Sequence, residues 1–231
     1  MKLFDSILIN GDSYSAPGKE GQKVYADYLG ESYSVPVSNY AVSGSNNDRI
    51  ARSTIEYVHL HLHRRPLVII GWSFIRRIEV WYYGDKSIFV PDQIQNPDSK
   101  LVTLDSLLAK GYATIDQKAS ILPDPEIHKK LTDFYTNLFF LANWLEKLDL
   151  PYLFFSAAKN TDCPVECFPY IKNLSTTQWC VKNQYIYNLH DFCIMNWALQ
   201  NDDQCSPVTG HMSSKGHRKF SQVITKILEK I

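Results

Sequence analysis

A chain of 231 residues has room for one domain with an ample buried core, and 1–231 is read as a single domain. Its 24 acidic and 24 basic side chains balance, which argues against nucleic acid or a polybasic membrane surface as the main partner. No run of about 18 apolar residues is present, and "MKLFDSILIN" carries a charge inside a short apolar run, so neither a membrane span nor a signal peptide is expected and a cytoplasmic protein is.

Along the chain, "SILIN" (6–10) reads as the first buried strand. Val24, Tyr25, Tyr28 and Leu29 then recur at helical spacing, and "YSVPVSN" (33–39) reads as a second strand. Ile50, Ile55, Val58 and Leu62 suggest the apolar face of a second helix, followed by a third strand in "PLVIIG" (66–71). Between about 82 and 125 the alternation breaks into a stretch rich in Pro, Asp, Asn and aromatics, read as an irregular insertion over the site edge. A long amphipathic helix is expected over 129–148, a fourth strand in "PYLFFS" (151–156), and a second irregular stretch over 157–180. "QYIYNLH" (184–190) is the candidate fifth strand, with a helix through "FCIMNWALQ" and a last helix near the C-terminus, capped by Ser213 or Ser214. Strand and helix thus alternate, which predicts a parallel sheet covered on both faces, with ligands at the C-terminal edge of its strands.

The five cysteines (Cys163, Cys167, Cys180, Cys193 and Cys205) are odd in number and are read as reduced thiols. "CPVEC" has the spacing of half a zinc site, but no second paired motif follows, so small thiols in a loop are the favoured reading. His59 and His63 in "HLHLHRR" share a helical face without an evident third ligand, and their place near a helix end suits the dipole instead. No metal and no cofactor are expected.

Ser13 follows the first strand and precedes a helix, which would project its hydroxyl from the sheet edge among backbone N–H groups able to hold an anion. A serine there is a nucleophile only with a base, and His211, just before the last helix, is the candidate. Taken singly, a capping serine and a surface histidine are the plainer readings. Together, "INGDSYS", "NYAVSGSNNDRI", "IIGWS" and "GHMSSKGH" resemble in order the four sequence blocks of the SGNH (GDSL-type) hydrolases, over about residues 5–80 and 183–228. The resemblance implies an α/β fold, a three-layer α/β/α sandwich with a five-stranded parallel sheet, similar to flavodoxin. It also implies Ser13 as nucleophile, His211 as general base, and an oxyanion hole from the N–H groups of Ser13 and Gly44, with Ser73 at the position of the usual asparagine. The stretch "GWSFIRRIEVW" is similar to SGNH-like proteins of tailed phages, in which setting the protein would reach a virion or the outside by lysis. Arg76, Arg77 and Glu79 within it are expected to fix the loop by ion pairing.

Two departures bear on activity. A serine hydroxyl at 73 is shorter than an amide. Three residues before His211, where the family has an aspartate, stands Val208, so Asp203 or Asp202 would have to reach round, or a backbone carbonyl would orient the ring. Met212 replaces the family's common proline, and His217 matches a frequent helix-start histidine expected to be structural. The expected function is hydrolysis of a small-molecule or glycan ester, with a carbohydrate O-acetyl group first among candidates. Trp81 and Tyr82, with Tyr83 and Phe89, are the candidate sugar-stacking residues. The alternatives are a catalytically weak or inactive SGNH fold used as a binding or structural module, and a flavodoxin-like anion binder that would leave His211 idle.

Overall fold

Ile7, Leu8 and Ile9 form a run with no polar break, as expected of a strand covered on both faces. The computed structural model describes residues 4–18, 22–75, 77, 79–82, 88–89, 100–103, 127–157, 173–187, 192–202, 204–206 and 211–230, with the backbone alone for 79–82, 88–89, 100–103 and 127–128. In it this run becomes β1 (Ser6–Gly11), with β2 (Val37–Asn39) and β3 (Pro66–Trp72) parallel on either side. Three short strands follow, β4 (Glu79–Tyr82), β5 (Ile88–Phe89) and β6 (Lys100–Thr103), and then β7 (Tyr152–Ser156), which pairs parallel with β3. The main sheet therefore runs β2-β1-β3-β7.

Alternate residues of its strands face opposite layers. Leu8, Val68, Ile70 and Phe154 pack against α2 (Asn47–His61), α3 (Ile127–Lys147) and α4 (Ser175–Lys182). Ile7, Ile9, Ile69 and Phe155 pack against α1 (Tyr25–Tyr33), α5 (Ile194–Asn201) and α6 (Ser214–Leu228). The result is a three-layer α/β/α sandwich. Chain order reverses between β1 and β3, and the C-terminal end of such a junction forms a crevice where ligands bind in open α/β sheets.

The sandwich is the expected one: among the described residues the main sheet has four parallel strands, and parallel bridges from Phe154 to Ile186 and from Ser156 to Cys193 mark the place of a fifth. Three expectations are revised. β2 is shorter than the 33–39 run, because α1 extends to Tyr33 and Pro36 has no N–H for a ladder. The buried face of α2 is Ile50, Ala51, Thr54, Tyr57 and Val58, while Ile55 and Leu62 are 45% and 41% exposed; Ile55 lies about 100° round the helix from Thr54. The stretch around 82–125 is not wholly irregular, since β5, β4 and β6 pair in that order as an antiparallel sheet. No helix among the described residues is long and apolar enough to cross a membrane.

Candidate active site

β1 ends at Gly11, which lies in register with Gly71, one residue before the end of β3. Both are glycine for a steric reason: an added Cβ would stand 2.8 Å from the Gly71 carbonyl oxygen at Gly11, and 2.8 Å from Ser15 Oγ at Gly71. Ser15 occupies the space so left and takes a hydrogen bond from the Tyr25 hydroxyl (2.8 Å). The chain then turns sharply, with Ser15 and Ala16 N–H donating to the Asp12 carbonyl and Tyr14 N–H to Asp12 Oδ1 (3.1 Å). Ser13 sits within this turn, half-buried.

A second loop is pinned to the same strand end, Val42 N–H donating to the Gly11 carbonyl (3.2 Å). Gly44 within it has φ 82°, a backbone conformation that favours glycine. Asn46 caps α2 by accepting from Arg49 N–H (2.9 Å). Asn47 clamps the loop to the end of β3, accepting from Ser73 N–H (2.8 Å) and donating to the Ser73 carbonyl (3.2 Å).

Beneath the turn lies an ion pair that only the folded chain assembles. Arg77 Nη1 donates to Asp12 Oδ2 (2.8 Å), to Ser73 Oγ (2.7 Å) and to the Ser45 carbonyl (3.3 Å). Asp12 is fully buried and the Arg77 side chain only 14% exposed. Burial raises the Asp12 carboxyl above the usual carboxylate range, against the opposing pull of Arg77, Ser73 and the Tyr14 N–H. Ser73 differs here from its expected oxyanion role: it is fully buried and gives its one proton to Asp12 Oδ2 (2.8 Å). Of the residues expected to pair, Arg77 joins Asp12, while Arg76 and the Glu79 side chain lie outside the described residues.

From the far end of the chain, His211 Nε2 comes to 2.9 Å from Ser13 Oγ. With its proton on Nδ1, the neutral imidazole accepts the serine hydroxyl at Nε2. Tyr14 stacks beneath the same ring, centroids 4.7 Å apart and planes at 21°. Burial lowers His211 below its ordinary value; the nearby Asp12 carboxylate pulls it up and the Arg77 cation pushes it down.

Asp202, one of the two carboxylates considered for orienting His211, serves the start of α6. Its oxygens accept from Ser213 N–H (2.6 Å), Ser213 Oγ (2.8 Å) and Gln204 N–H (3.2 Å). Burial raises its carboxyl, but these hydrogen bonds win and hold it below the usual range. Gly216 makes the approach possible, since a Cβ there would lie 2.0 Å from Asp202 Oδ2. Asp202 thereby ties the residues after α5 to the cap of α6, two positions beyond His211. Asp203 and Val208 lie outside the described residues, as do Cys163, Cys167, Tyr83 and the side chains of Trp81, Tyr82 and Phe89. Cys180, Cys193 and Cys205 are not joined in disulfides. His61, between the two histidines weighed as metal ligands, stacks on Tyr57 and donates from Nδ1 to its carbonyl (2.9 Å). Among the described residues no group of three or more His, Cys, Asp or Glu is placed to hold a metal ion.

Sequence reasoning missed Tyr14 and the central place of Asp12. The signal available for both was adjacency, as they flank Ser13 in the chain.

The sequence model of DUF6071, a family of unknown function, matches residues 23–170. The chain belongs to that family. In this DUF6071 member the matched span contains Gly44, Ser73 and Arg77, beginning after Ser13 and ending before His211. No curated protein matches the sequence. Among solved structures, the chain is similar to the psychrotrophic esterase EstA from Pseudoalteromonas sp., at 14% identity and TM-score 0.52, over 98% of this chain and 97% of that one. It is similar to TesA at 14% identity and TM-score 0.51, over 97% and 98% of the two chains. A lipolytic protein of the G-D-S-L family from Desulfitobacterium hafniense matches at 13% identity and TM-score 0.50, over 96% and 99%. At such identities the likeness is one of fold, and the fold of this DUF6071 protein is that of the SGNH hydrolases.

Proposed function

We propose that this protein is a serine ester hydrolase acting through an acyl-enzyme. The reading is carried by one observation: side chains 198 positions apart, Ser13 and His211, meet at 2.9 Å at the mouth of the β1–β3 crevice. Ser13 Oγ attacks the ester carbonyl as its proton passes to His211 Nε2. The carbonyl oxygen takes the negative charge and is met by the N–H groups of Ser13 and Gly44, both fixed before the reaction by the turns that present them. His211 then returns the proton to the leaving alcohol, and an acyl group remains on Ser13. Water, deprotonated in turn by His211, attacks that acyl group and releases the carboxylic acid, restoring the serine. No cofactor enters this sequence.

The substrate proposed is an O-acetyl group on a carbohydrate, supported by the aromatic residues Trp81 and Tyr82 in β4. A second reading, a catalytically weak member retained for binding, is favoured by the commitment of the Ser73 proton to Asp12, which leaves backbone donors to hold the oxyanion.

Hydrolysis of p-nitrophenyl acetate by the purified protein decides between them. The wild type is expected to release nitrophenol and to react with a fluorophosphonate probe, and Ser13→Ala to do neither. The rate should climb with pH as His211 loses its proton, with a midpoint below the ordinary 6.5 because burial disfavours the imidazolium. Equal rates for wild type and Ser13→Ala would end the esterase reading.

A further inference from the structure

Ser13 and Tyr14 are consecutive, yet both address one imidazole: the serine hydroxyl meets its edge at Nε2 and the tyrosine ring covers one of its faces. The two contacts are set by a single turn. Tyr14 N–H is held by Asp12 Oδ1, Ser15 and Ala16 N–H by the Asp12 carbonyl, and the ring itself is buried, 5% exposed. A ring so placed does not swing aside when the imidazole changes charge.

We infer that Tyr14 is a positioning residue for the general base, its π face lying beneath His211 and favouring the imidazolium formed when Ser13 gives up its proton. This rests on the reading of Ser13 and His211 as nucleophile and base. The face of an aromatic ring is the negative end of its quadrupole, so a cation above it is attracted while a neutral imidazole gains little. The attraction is therefore stronger in the transition state than in the resting enzyme, which is the condition for raising the rate. The proton moves from Ser13 Oγ to Nε2 and back to the leaving alcohol; Tyr14 exchanges none. Its own hydroxyl, pushed up to about 12 by burial with Asp12 adding to the effect, stays protonated throughout.

The other groups acting on His211 are Asp12 and Arg77 from beneath the turn and His217 from α6, with Asp202 held at the cap of that helix. Arg77 and burial oppose the imidazolium, and Asp12 favours it. The ring adds to the favourable side in direct contact, stacked on the imidazole.

The test compares Tyr14→Phe, which keeps the π face, with Tyr14→Leu and Tyr14→Met, which keep bulk without it. Two readouts are taken: the His211 titration by NMR in a Ser13→Ala background, and the pH profile of p-nitrophenyl acetate hydrolysis with Ser13 intact. In the Phe variant both are expected to match wild type. In the Leu and Met variants the His211 pKa should fall by about one unit. The acid limb of kcat should move down with it, and the plateau of kcat should drop roughly tenfold with KM little changed. Loss of packing alone would lower the rate and leave the limb where it was. The inference is overturned if either folded variant lacking the ring titrates His211 as Tyr14→Phe does. Should no variant hydrolyse ester, the esterase reading falls separately, while the NMR titration still decides whether the ring supports the imidazolium.

Discussion

His217 lies in the first turn of α6, 7% exposed, with Nδ1 buried and without a hydrogen-bond partner. Protonating it would place a cation in an apolar pocket beside Tyr25 and near the positive end of a helix dipole. Burial accordingly lowers it from 6.5 to about 4, with Asp202 and Asp27 opposing and not reversing the shift. Between those pH values the unfolded chain binds a proton that the folded chain refuses. Stability is therefore fully present above 6.5, lost as pH falls, and steady again below about 4. A span of about 2.5 units at 1.36 kcal/mol each gives a loss of about 3 kcal/mol. Urea unfolding at a series of pH values from 7.5 down to 4.5 would measure most of it. His217→Phe, which fits a ring into the same pocket and cannot titrate, should remove the His217 share of this slope, leaving that of His211, also lowered by burial, and the opposing one of Asp12, raised by burial. Asp202 works in the same direction but only below its ordinary 3.8, outside the window. Parallel curves for wild type and His217→Phe would refute the account and place the acid sensitivity elsewhere.

Two further substitutions probe the supports of the site. Arg77→Met leaves the buried Asp12 carboxylate without its cation and should cost about 3–5 kcal/mol in urea unfolding, whereas adding Asp12→Asn to it should restore much of the loss. Gly216→Ala drives a methyl group into the Asp202 carboxylate and should cost about 1–3 kcal/mol while reducing esterase activity, both through release of the segment that carries His211; an unaltered midpoint would show that the contact yields without strain.

The layers were legible where burial leaves a continuous apolar record. "SILIN", "PLVIIG" and "PYLFFS" read as strands because both faces of β1, β3 and β7 are covered, and their alternate residues divide between two helical layers. Edges were less legible. At "YSVPVSN" the local preference for strand yields to the packing of α1 as far as Tyr33, and at "QYIYNLH" the described residues pair with β7 through the bridge of Ile186 to Phe154 and the hydrogen bonds of Tyr185 and Tyr187 to the same residue. The antiparallel pairing of β4 with β5 and β6 joins segments separated by stretches without steady period, so no local pattern announces it. Ser13, Gly44 and His211 stood out because the sequence blocks around them resemble those of the SGNH hydrolases. The partners of Asp12, Tyr14 and Asp202 did not, since each contact joins residues whose nearness exists only after the sheet has formed; Asp12 meets Arg77 across 65 positions.

Those hidden contacts also explain how the fold accommodates a serine at position 73. The asparagine of the family it resembles has a longer side chain with an amide donor, whereas a serine hydroxyl is shorter and donates a single hydrogen bond. Asp12, immediately before Ser13, is the acceptor it finds, and Arg77 pairs with the carboxylate and donates to the serine oxygen from the same nitrogen. The third block thus becomes a support for the turn that carries Ser13. Charge stabilisation in the proposed reaction falls to the Ser13 and Gly44 N–H groups, which the backbone supplies whatever the side chains are. Since one oxyanion donor contributes on the order of a hundredfold or more in kcat, an enzyme built this way gains from any contact that strengthens toward the transition state. In the proposed reaction the π face of Tyr14 beneath His211, on a turn held by the same Asp12 that accepts the Ser73 hydrogen bond, is such a contact.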